Sequence, residues 1–251
     1  MATALKTIDS GTFLALRDDN DIAEAMLANL GEGAMLRESN LTRVKIPTGG
    51  GVMWMVPTLT GDEPSRTIDG ILVYQTVRGI LWLGEEPQEG SLPALVSTDL
   101  KTARTIATDL PGEFLRSIEP ALIDDARGIY DWTLLPQNEW GSGKGGNGKA
   151  AKEQRVLYIL RQDEPLPVVV AIQPGSLGNW QEFIIQLTKA GIPFYRAVIS
   201  LGLERAVSVG GQPYSQVLPK LIGTLTPEQG TVIRTRFTEP MRAVAAACFT
   251  S

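Results

Sequence analysis

The sequence predicts an α+β fold built on a small, closed or partly open β-barrel, with added helices and a long Gly/Lys-rich loop. Many short apolar or alternating runs indicate strands, a few patterns with clear ends indicate helices, and glycines inside strand runs allow strong curvature. The 251 residues, 43% of them hydrophobic, suffice for a sizeable core. We expect an N-terminal helical segment over residues 1–40, a barrel domain over 41–225 and a C-terminal helix over 226–251.

The first half of the chain is expected to be mostly β. A helix is predicted at 21–30, where apolar residues share one face and Gly31 can end it. Apolar runs bounded by Pro and Gly then predict four strands, at 42–46, 52–56, 71–77 and 80–83. Gly79 separates the last two of them. An acidic insertion, about 85–131, shows only weak helical patterns at 100–107 and 119–126.

The second half alternates strands with two well-defined helices. Apolar runs predict strands at 155–160, 168–172, 194–200 and 215–222. Ser176 is expected to cap a helix that ends at Gly191. Thr226, Pro227 and Gln229 form a helix-start signature, with a Thr cap, Pro at the first position and Gln three residues after the cap.

The composition excludes several kinds of active site. The chain has no histidine, which removes the commonest general base, histidine-activated nucleophiles and imidazole metal sites. One cysteine, Cys248, allows neither an internal disulfide nor a thiolate zinc cluster. Acid/base or magnesium chemistry by carboxylates stays open. No cofactor is expected.

Charge is distributed unevenly along this acidic chain. Residues 85–131 hold ten Asp or Glu against four Lys or Arg, whereas residues 138–161 hold five Lys or Arg against two Glu. A local basic segment can still bind phosphates, because charge acts over a Debye length of about 8–10 Å. No apolar run is long enough to cross a bilayer, and the start lacks a signal-peptide pattern. We therefore expect a cytoplasmic protein with no membrane contact.

Residues Gly143 to Lys149 match the start of a phosphate-binding loop, G-x-x-x-x-G-K. A true P-loop joins a buried strand to a helix and needs a Ser or Thr after the Lys to bind magnesium. Here Ala150 follows Lys149, and Pro136 breaks the segment before the loop. We interpret the likeness as coincidental and the stretch at 138–155 as a flexible basic loop.

Such a loop suits a nucleic-acid strand, since lysines contact phosphates and an indole offers a stacking face. The candidate binding residues in the loop are Trp140, Lys144, Lys149, Lys152 and Arg155. Trp54, Tyr74 and Trp82 lie on predicted strands and could line a binding face. The alternatives are that Trp140 anchors the loop in the core and that the strand aromatics are core residues.

Several short signatures occur together in a fixed order. Pro136, Asn138 and Trp140-Gly141-Ser142 precede the loop, Gly148-Lys149-Ala150-Ala151-Lys152-Glu153 closes it, and Leu157-Tyr158-Ile159-Leu160 follows. With "PLPVVVAIQPGSLGNWQEF" and "GGQPYSQVLPKLIGTLTPEQ", they resemble phage-encoded single-stranded-DNA-binding proteins over about residues 41–229. The resemblance implies an OB-like barrel and a role in DNA replication or recombination in a bacterial host cell. Partners would be single-stranded DNA and phage or host replication proteins.

The chain departs from the family pattern at its cysteines. Those positions are Val96, Trp132, Leu135 and Ala151 here, all apolar. If the cysteines bind a metal in relatives, hydrophobic packing replaces that site, and no orphaned ligand remains. No metal site is therefore expected. The C-terminal "RAVAAACFTS" also lacks the carboxylates of a partner-recruiting acidic tail.

Three classes of function remain open. The first is a non-enzymatic single-stranded-DNA-binding protein, with oligomeric state and preference for DNA over RNA undetermined. The second is an assembly or scaffolding protein that uses the barrel for protein contacts. The third is a magnesium-dependent nuclease, for which no ligand spacing was found among Asp99, Asp109, Asp124, Asp125 and Asp131.

Overall fold

The computed structural model describes residues 7, 13–14, 28–29, 36–58, 60–84 and 92–247. These residues adopt a mixed α+β fold with a large sheet and a few helices, which confirms the predicted class. The chain divides into two compact units. Unit 1 takes the described residues up to Gln75 and from Leu157 onward, and unit 2 spans Thr76–Val156. The Gly/Lys-rich loop lies in unit 2.

The strands and helices are numbered in chain order. The strands are β1 (Arg43–Val44), β2 (Trp54–Thr58), β3 (Gly61–Ser65), β4 (Thr67–Leu81), β5 (Leu95–Ser97), β6 (Thr102–Thr105), β7 (Leu122–Asp124), β8 (Ile129–Asp131), β9 (Lys152–Leu160), β10 (Val168–Ile172), β11 (Ala197–Val207) and β12 (Pro213–Thr224). The helices are α1 (Gly112–Ile118), α2 (Pro174–Lys189), α3 (Pro227–Ile233) and α4 (Glu239–Ala247).

The strands of unit 1 follow the order β1-β10-β9-β4-β11-β12. β1 runs parallel to β10, while β11 is antiparallel to both β4 and β12. Strands β2 and β3 form a separate antiparallel hairpin. The described residues show no closed barrel, because among the named strands β1 pairs with β10 alone and β12 with β11 alone. The OB-like barrel is therefore not confirmed.

The core of unit 1 is built from strands and the apolar face of α2. Trp54 is fully buried, and its indole N–H donates to the Leu201 carbonyl at 2.8 Å. From α2, Trp180 is also buried and its N–H donates to Gln75 Oε1 at 2.9 Å. Each indole thus buries a large apolar area while its polar atom keeps a partner.

Helix α2 begins three residues earlier than predicted. Its N-cap is Gln173, and Pro174 occupies the first helical turn. The Ser176 hydroxyl does not cap the helix but accepts a hydrogen bond from the Val217 backbone N–H at 2.9 Å, in strand β12. Tertiary contact with a neighbouring strand has therefore replaced the predicted local role. Gly191, with φ of 66°, ends the segment as expected.

The C-terminal helical region begins as predicted. The Thr226 hydroxyl accepts from the Gln229 N–H, and the Gln229 side chain accepts from the Thr226 N–H, which completes a capping box. A π-helical turn, Arg234–Thr238, separates α3 from α4. In it the buried Thr238 hydroxyl donates to the Val73 carbonyl at 2.7 Å. Residues 248–251 lie outside the described part of the chain.

Strand β4 replaces the two strands predicted at 71–77 and 80–83, so the predicted break at Gly79 was wrong. A Cβ on Gly79 would stand 2.4 Å from a ring carbon of Trp132. Gly79 thus makes room for a buried indole within an unbroken strand. Sequence alone cannot distinguish this reason for a strand glycine from a bulge or a bend.

The helices predicted at 100–107 and 119–126 were also wrong. The first segment contains β6, and the second contains a 3₁₀ turn, Glu119–Ala121, followed by β7. The helix that does form, α1, lies between them. Pairing of β6 with β5 and β8 overrides weak helical propensity in this region. Of the helix predicted at 21–30, only Ala28 and Asn29 are described, and both are helical.

Three of the four positions where the resembling family carries cysteine lie in one hydrophobic cluster of unit 2. Trp132, Leu135 and Ala151 are buried in it, with the remaining members Leu81, Leu95, Ala103, Ile118, Ala121 and Tyr130. Val96 is buried as well. These four positions are therefore packed in a hydrophobic environment, as their apolar side chains led us to expect.

Within the described residues, no helix has the length and apolar character needed to span a membrane.

Candidate nucleic-acid interface

The Gly/Lys-rich loop folds back on itself through backbone hydrogen bonds. The N–H groups of Gly141 and Gly143 both donate to the carbonyl of Gly148, at 2.7 and 3.1 Å. Gly141 and Gly148 have φ values of 95° and 66°, a region that glycine adopts without steric cost. The loop expected to be flexible is thus an internally bonded structure with a defined tip, the 3₁₀ turn Lys144–Gly146.

Ser142 holds the two ends of the loop together. Its Oγ lies 2.7 Å from the carbonyl oxygens of both Gln137 and Glu139 and accepts a hydrogen bond from the Ala150 N–H at 3.0 Å. The Ala151 N–H also donates to the Gln137 carbonyl, at 2.9 Å. Sequence reasoning missed this role. The available signal was a hydroxyl residue between two glycines, the kind that bonds to nearby backbone.

The course of the chain after the loop excludes a P-loop. Residues following Lys149 enter strand β9, whereas a phosphate-binding loop leads into a helix whose N-terminus faces the phosphates. The Ala150 N–H is already bonded to Ser142. The interpretation of the G-x-x-x-x-G-K pattern as coincidence therefore agrees with the structure.

The predicted cations fall into two groups. Lys144, at the tip, and Lys152, at the start of β9, are exposed. Lys149 is half-buried, and its ammonium donates to Asn138 Oδ1 at 3.0 Å and lies 3.6 Å from Glu153 Oε1. Arg155 is also half-buried, and desolvation lowers the pKa of its guanidinium. Lys149 thus has a structural role in closing the loop. Lys144 and Lys152 are the more exposed cations, and the Lys152 ammonium donates to the Lys149 carbonyl.

The predicted aromatics have very different environments. Trp140 is 83% exposed, so it does not anchor the loop in the core. Trp54, in contrast, is 0% exposed and cannot stack a base, so its place among the predicted site residues is corrected. Tyr74 is half-buried, with its ring centroid 5.6 Å from that of Tyr158, and Trp82 is half-buried too.

Six of the predicted site residues lie in unit 2. Within the Gly/Lys-rich loop, the exposed indole of Trp140 occurs together with exposed cations. Those six are Trp82, Trp140, Lys144, Lys149, Lys152 and Arg155. Trp54 and Tyr74 belong to unit 1. Residues 138–155 contain four cations and two carboxylates, so the loop is locally positive. Exposed ring and positive charge together form a surface suited to a nucleic-acid strand.

Three of the five acidic residues considered for a nuclease accept local hydrogen bonds. Asp99 Oδ1 accepts from the backbone N–H groups of Lys101 and Thr102, both at 2.8 Å. Asp131 caps the turn that follows it by accepting from the N–H and hydroxyl of Thr133. Asp124 accepts from the Arg127 N–H. The described residues contain no cluster of three or more His, Cys, Asp or Glu side chains suited to a metal ion.

A second surface was not predicted from the sequence. A groove in unit 1 is lined by residues of β4, β11, β12 and the segment before β2, and by Arg66, which lies between β3 and β4. Its signal in the sequence was Gly202, a glycine inside a strand.

Comparison with known proteins identifies no relative: no protein-family description, curated protein or solved structure matches the chain significantly.

Proposed function

We propose that the protein is a non-enzymatic single-stranded-DNA-binding protein. The observation that carries the proposal is Trp140, an indole 83% exposed on an internally bonded loop whose tip is Lys144. Aromatic rings are usually buried, because removing them from water is favourable, so a ring held outward on a fixed loop favours a binding role. Unpaired bases offer the flat apolar faces that such a ring stacks against.

The chemistry of the loop fits a sequence-tolerant mode of binding. A base stacked on Trp140 contributes about 1–3 kcal/mol, and every base offers such a face. Lys144 and Lys152 then contact the phosphates, with Arg155 as a third, less accessible cation. Each neutralised phosphate of a single strand contributes about −0.7 to the slope of log K against log salt, so three contacts give about −2.

The resemblance extends the proposal from binding to biological role. Together with the loop motif, it favours an OB-like protein that protects single strands during phage-type replication or recombination in the cytoplasm of a bacterial host. Phage or host replication proteins are then the proposed partners. Lys149, by bonding to Asn138 and Glu153, keeps the loop in its binding shape.

A fluorescence-anisotropy titration with labelled oligothymidylate, at about 50 and 200 mM salt, tests the proposal. We expect saturable binding at low salt that weakens at high salt, with oligouridylate as the comparison for DNA over RNA. No binding at low salt overturns it. Oligomers that form regardless of DNA, with binding absent, would favour the assembly role instead. Cleavage of the strand in magnesium but not in chelator would favour a nuclease.

A further inference from the structure

The groove in unit 1 occupies about 440 Å³, within the range of about 300–1,000 Å³ typical of ligand sites. It lies on the face of β4, β11 and β12 that includes Ser200 and Gly202, whereas Ile199 and Leu201 point to the core. Its lining residues are Val52, Met53, Arg66, Thr67, Ser200, Gly202, Leu203, Leu218 and Lys220.

The floor of the groove is the backbone of Gly202, which has no side chain. Gly202 lies in the middle strand, opposite Thr67 on β4 and Leu218 on β12. A Cβ built on Gly202 would meet nothing closer than the Leu218 carbonyl oxygen, at 3.9 Å. The glycine is therefore not required by crowding. A glycine inside a strand often marks a bulge, a bend or a place where a ligand approaches the backbone, and the register of β11 with β12 is regular at Gly202.

The rim of the groove carries two cations, and its walls are apolar. Arg66, in the bend just before β4, and Lys220, on β12, are both exposed. Strand β11 lies between β4 and β12, and the two cations are offset by three residues in register, so their backbones are about 14 Å apart. Two exposed acids lie nearby, Asp69 opposite Ser200 on β4 and Glu204 two residues after Gly202 on β11. Val52 and Met53 add exposed apolar surface. The groove thus combines an apolar contact with sites for anionic oxygens.

We propose that this groove binds one nucleotide unit of a DNA single strand, with the base against Met53 and the Gly202 backbone and the flanking phosphates at Arg66 and Lys220. The proposal rests on the proposed function and adds to it a second contact, in unit 1, that does not use the Gly/Lys-rich loop. At Ser200 and Gly202 a peptide strand is disfavoured, because β11 is paired there with β4 on one side and β12 on the other.

The test compares binding of labelled oligothymidylate by four proteins: wild type, Gly202→Leu, Lys220→Glu and the control Lys189→Glu. Lys189 is an exposed lysine of unit 1 at the end of α2, outside the groove. We expect Gly202→Leu, which fills the floor, and Lys220→Glu, which reverses the rim charge, each to raise Kd about tenfold. Lys189→Glu should leave Kd within about twofold. Thermal melting confirms that each variant folds.

A strand containing 4-thiothymidine locates the contact directly. We expect ultraviolet crosslinks to the peptide that contains Met53 or to the one that contains Gly202. If wild type binds the strand while both groove variants bind equally well and crosslinks map only to the loop, the groove inference is overturned and the proposed function stands. If wild type binds no strand, both fail. A third outcome is that wild type binds polyglutamate, that Lys220→Glu loses this binding, and that binding of the DNA strand is unchanged. The ligand of the groove would then be an acidic polypeptide and not a nucleotide.

Discussion

The Oγ of Ser142 accepts a hydrogen bond from the Ala150 backbone N–H at 3.0 Å, and this contact joins the two ends of the Gly/Lys-rich loop. The same oxygen lies 2.7 Å from the Gln137 and Glu139 carbonyls. One hydroxyl group therefore satisfies backbone on both sides of the loop. The presentation of Trp140, two residues earlier, depends on it.

Ser142→Ala should loosen the loop without unfolding unit 2. The variant loses the acceptor of the Ala150 N–H and a donor to backbone carbonyls, so we expect a loss of about 1 kcal/mol. Hydrogen exchange at Ala150 and Gly141 should accelerate, and strand binding should weaken because the loop must be ordered on binding. Ser117→Ala, on α1, is a control, since its hydroxyl donates to the Phe114 carbonyl and accepts from Gln137 Nε2, whereas the Ala150 N–H donates to Ser142. Unchanged exchange at Ala150 would contradict the role of Ser142.

Trp140→Ala should weaken binding without loss of stability. Stacking of a base is worth about 1–3 kcal/mol, so Kd should rise about 5- to 150-fold in the anisotropy titration. The melting temperature should stay unchanged, because the ring is exposed. Trp54→Phe is the matched control, for which we expect lower stability and unchanged binding. It loses the hydrogen bond to Leu201 and should destabilise unit 1 by about 1–3 kcal/mol, with no effect on Kd for the folded protein.

Two lysines of the loop should respond differently to substitution. Lys144→Gln should lower the magnitude of the salt slope by about 0.7, the value for one phosphate contact of a single strand. Lys149→Met should act through loop structure, because it removes the contacts to Asn138 and Glu153. For Lys149→Met we expect faster hydrogen exchange in the loop. A salt slope that changes only in Lys149→Met would show that the assignment of the two roles is wrong.

Gly79→Ala should destabilise unit 2 although alanine is compatible with a strand. The new Cβ would lie 2.4 Å from the Trp132 ring, and overpacking of this kind costs about 1–3 kcal/mol. Chemical denaturation measures the effect. Trp132→Phe removes part of the colliding ring, along with an indole nitrogen that has no hydrogen-bond partner among the described residues. In the double variant we expect part of the loss to be recovered. A neutral Gly79→Ala would contradict the packing argument.

Asp99 should make stability depend on acid pH. Partial burial raises the pKa of its carboxyl, but hydrogen bonds from the N–H groups of Thr102 and Lys101 outweigh burial and leave the pKa below its usual value. The stabilisation is thus present above the unfolded-state pKa of about 3.9 and is lost as pH falls through the folded-state pKa. The unfolding free energy of Asp99→Asn should lack this acid-dependent component. If the unfolding free energies of variant and wild type change with pH in the same way, the Asp99 carboxylate is not the source of the acid dependence.

The sequence by itself determined the elements whose signals are local. Strand β10 and the capping box at Thr226 formed where pattern and cap chemistry predicted them, because few distant contacts compete there. The sequence also located the basic loop and favoured hydrophobic packing at the positions where the resembling family has cysteine. Each of these conclusions uses only neighbours along the chain.

Tertiary structure decided what depends on distant partners. It made Trp54 a core residue and Trp140 an exposed one, because burial depends on packing against residues that are distant in sequence. It assigned Lys149 to the loop framework and left Lys144 at the surface. It also brought Arg66 and Lys220, which lie far apart in sequence, to either side of Gly202. Burial and charge proximity are properties of three-dimensional neighbours, which no local pattern specifies.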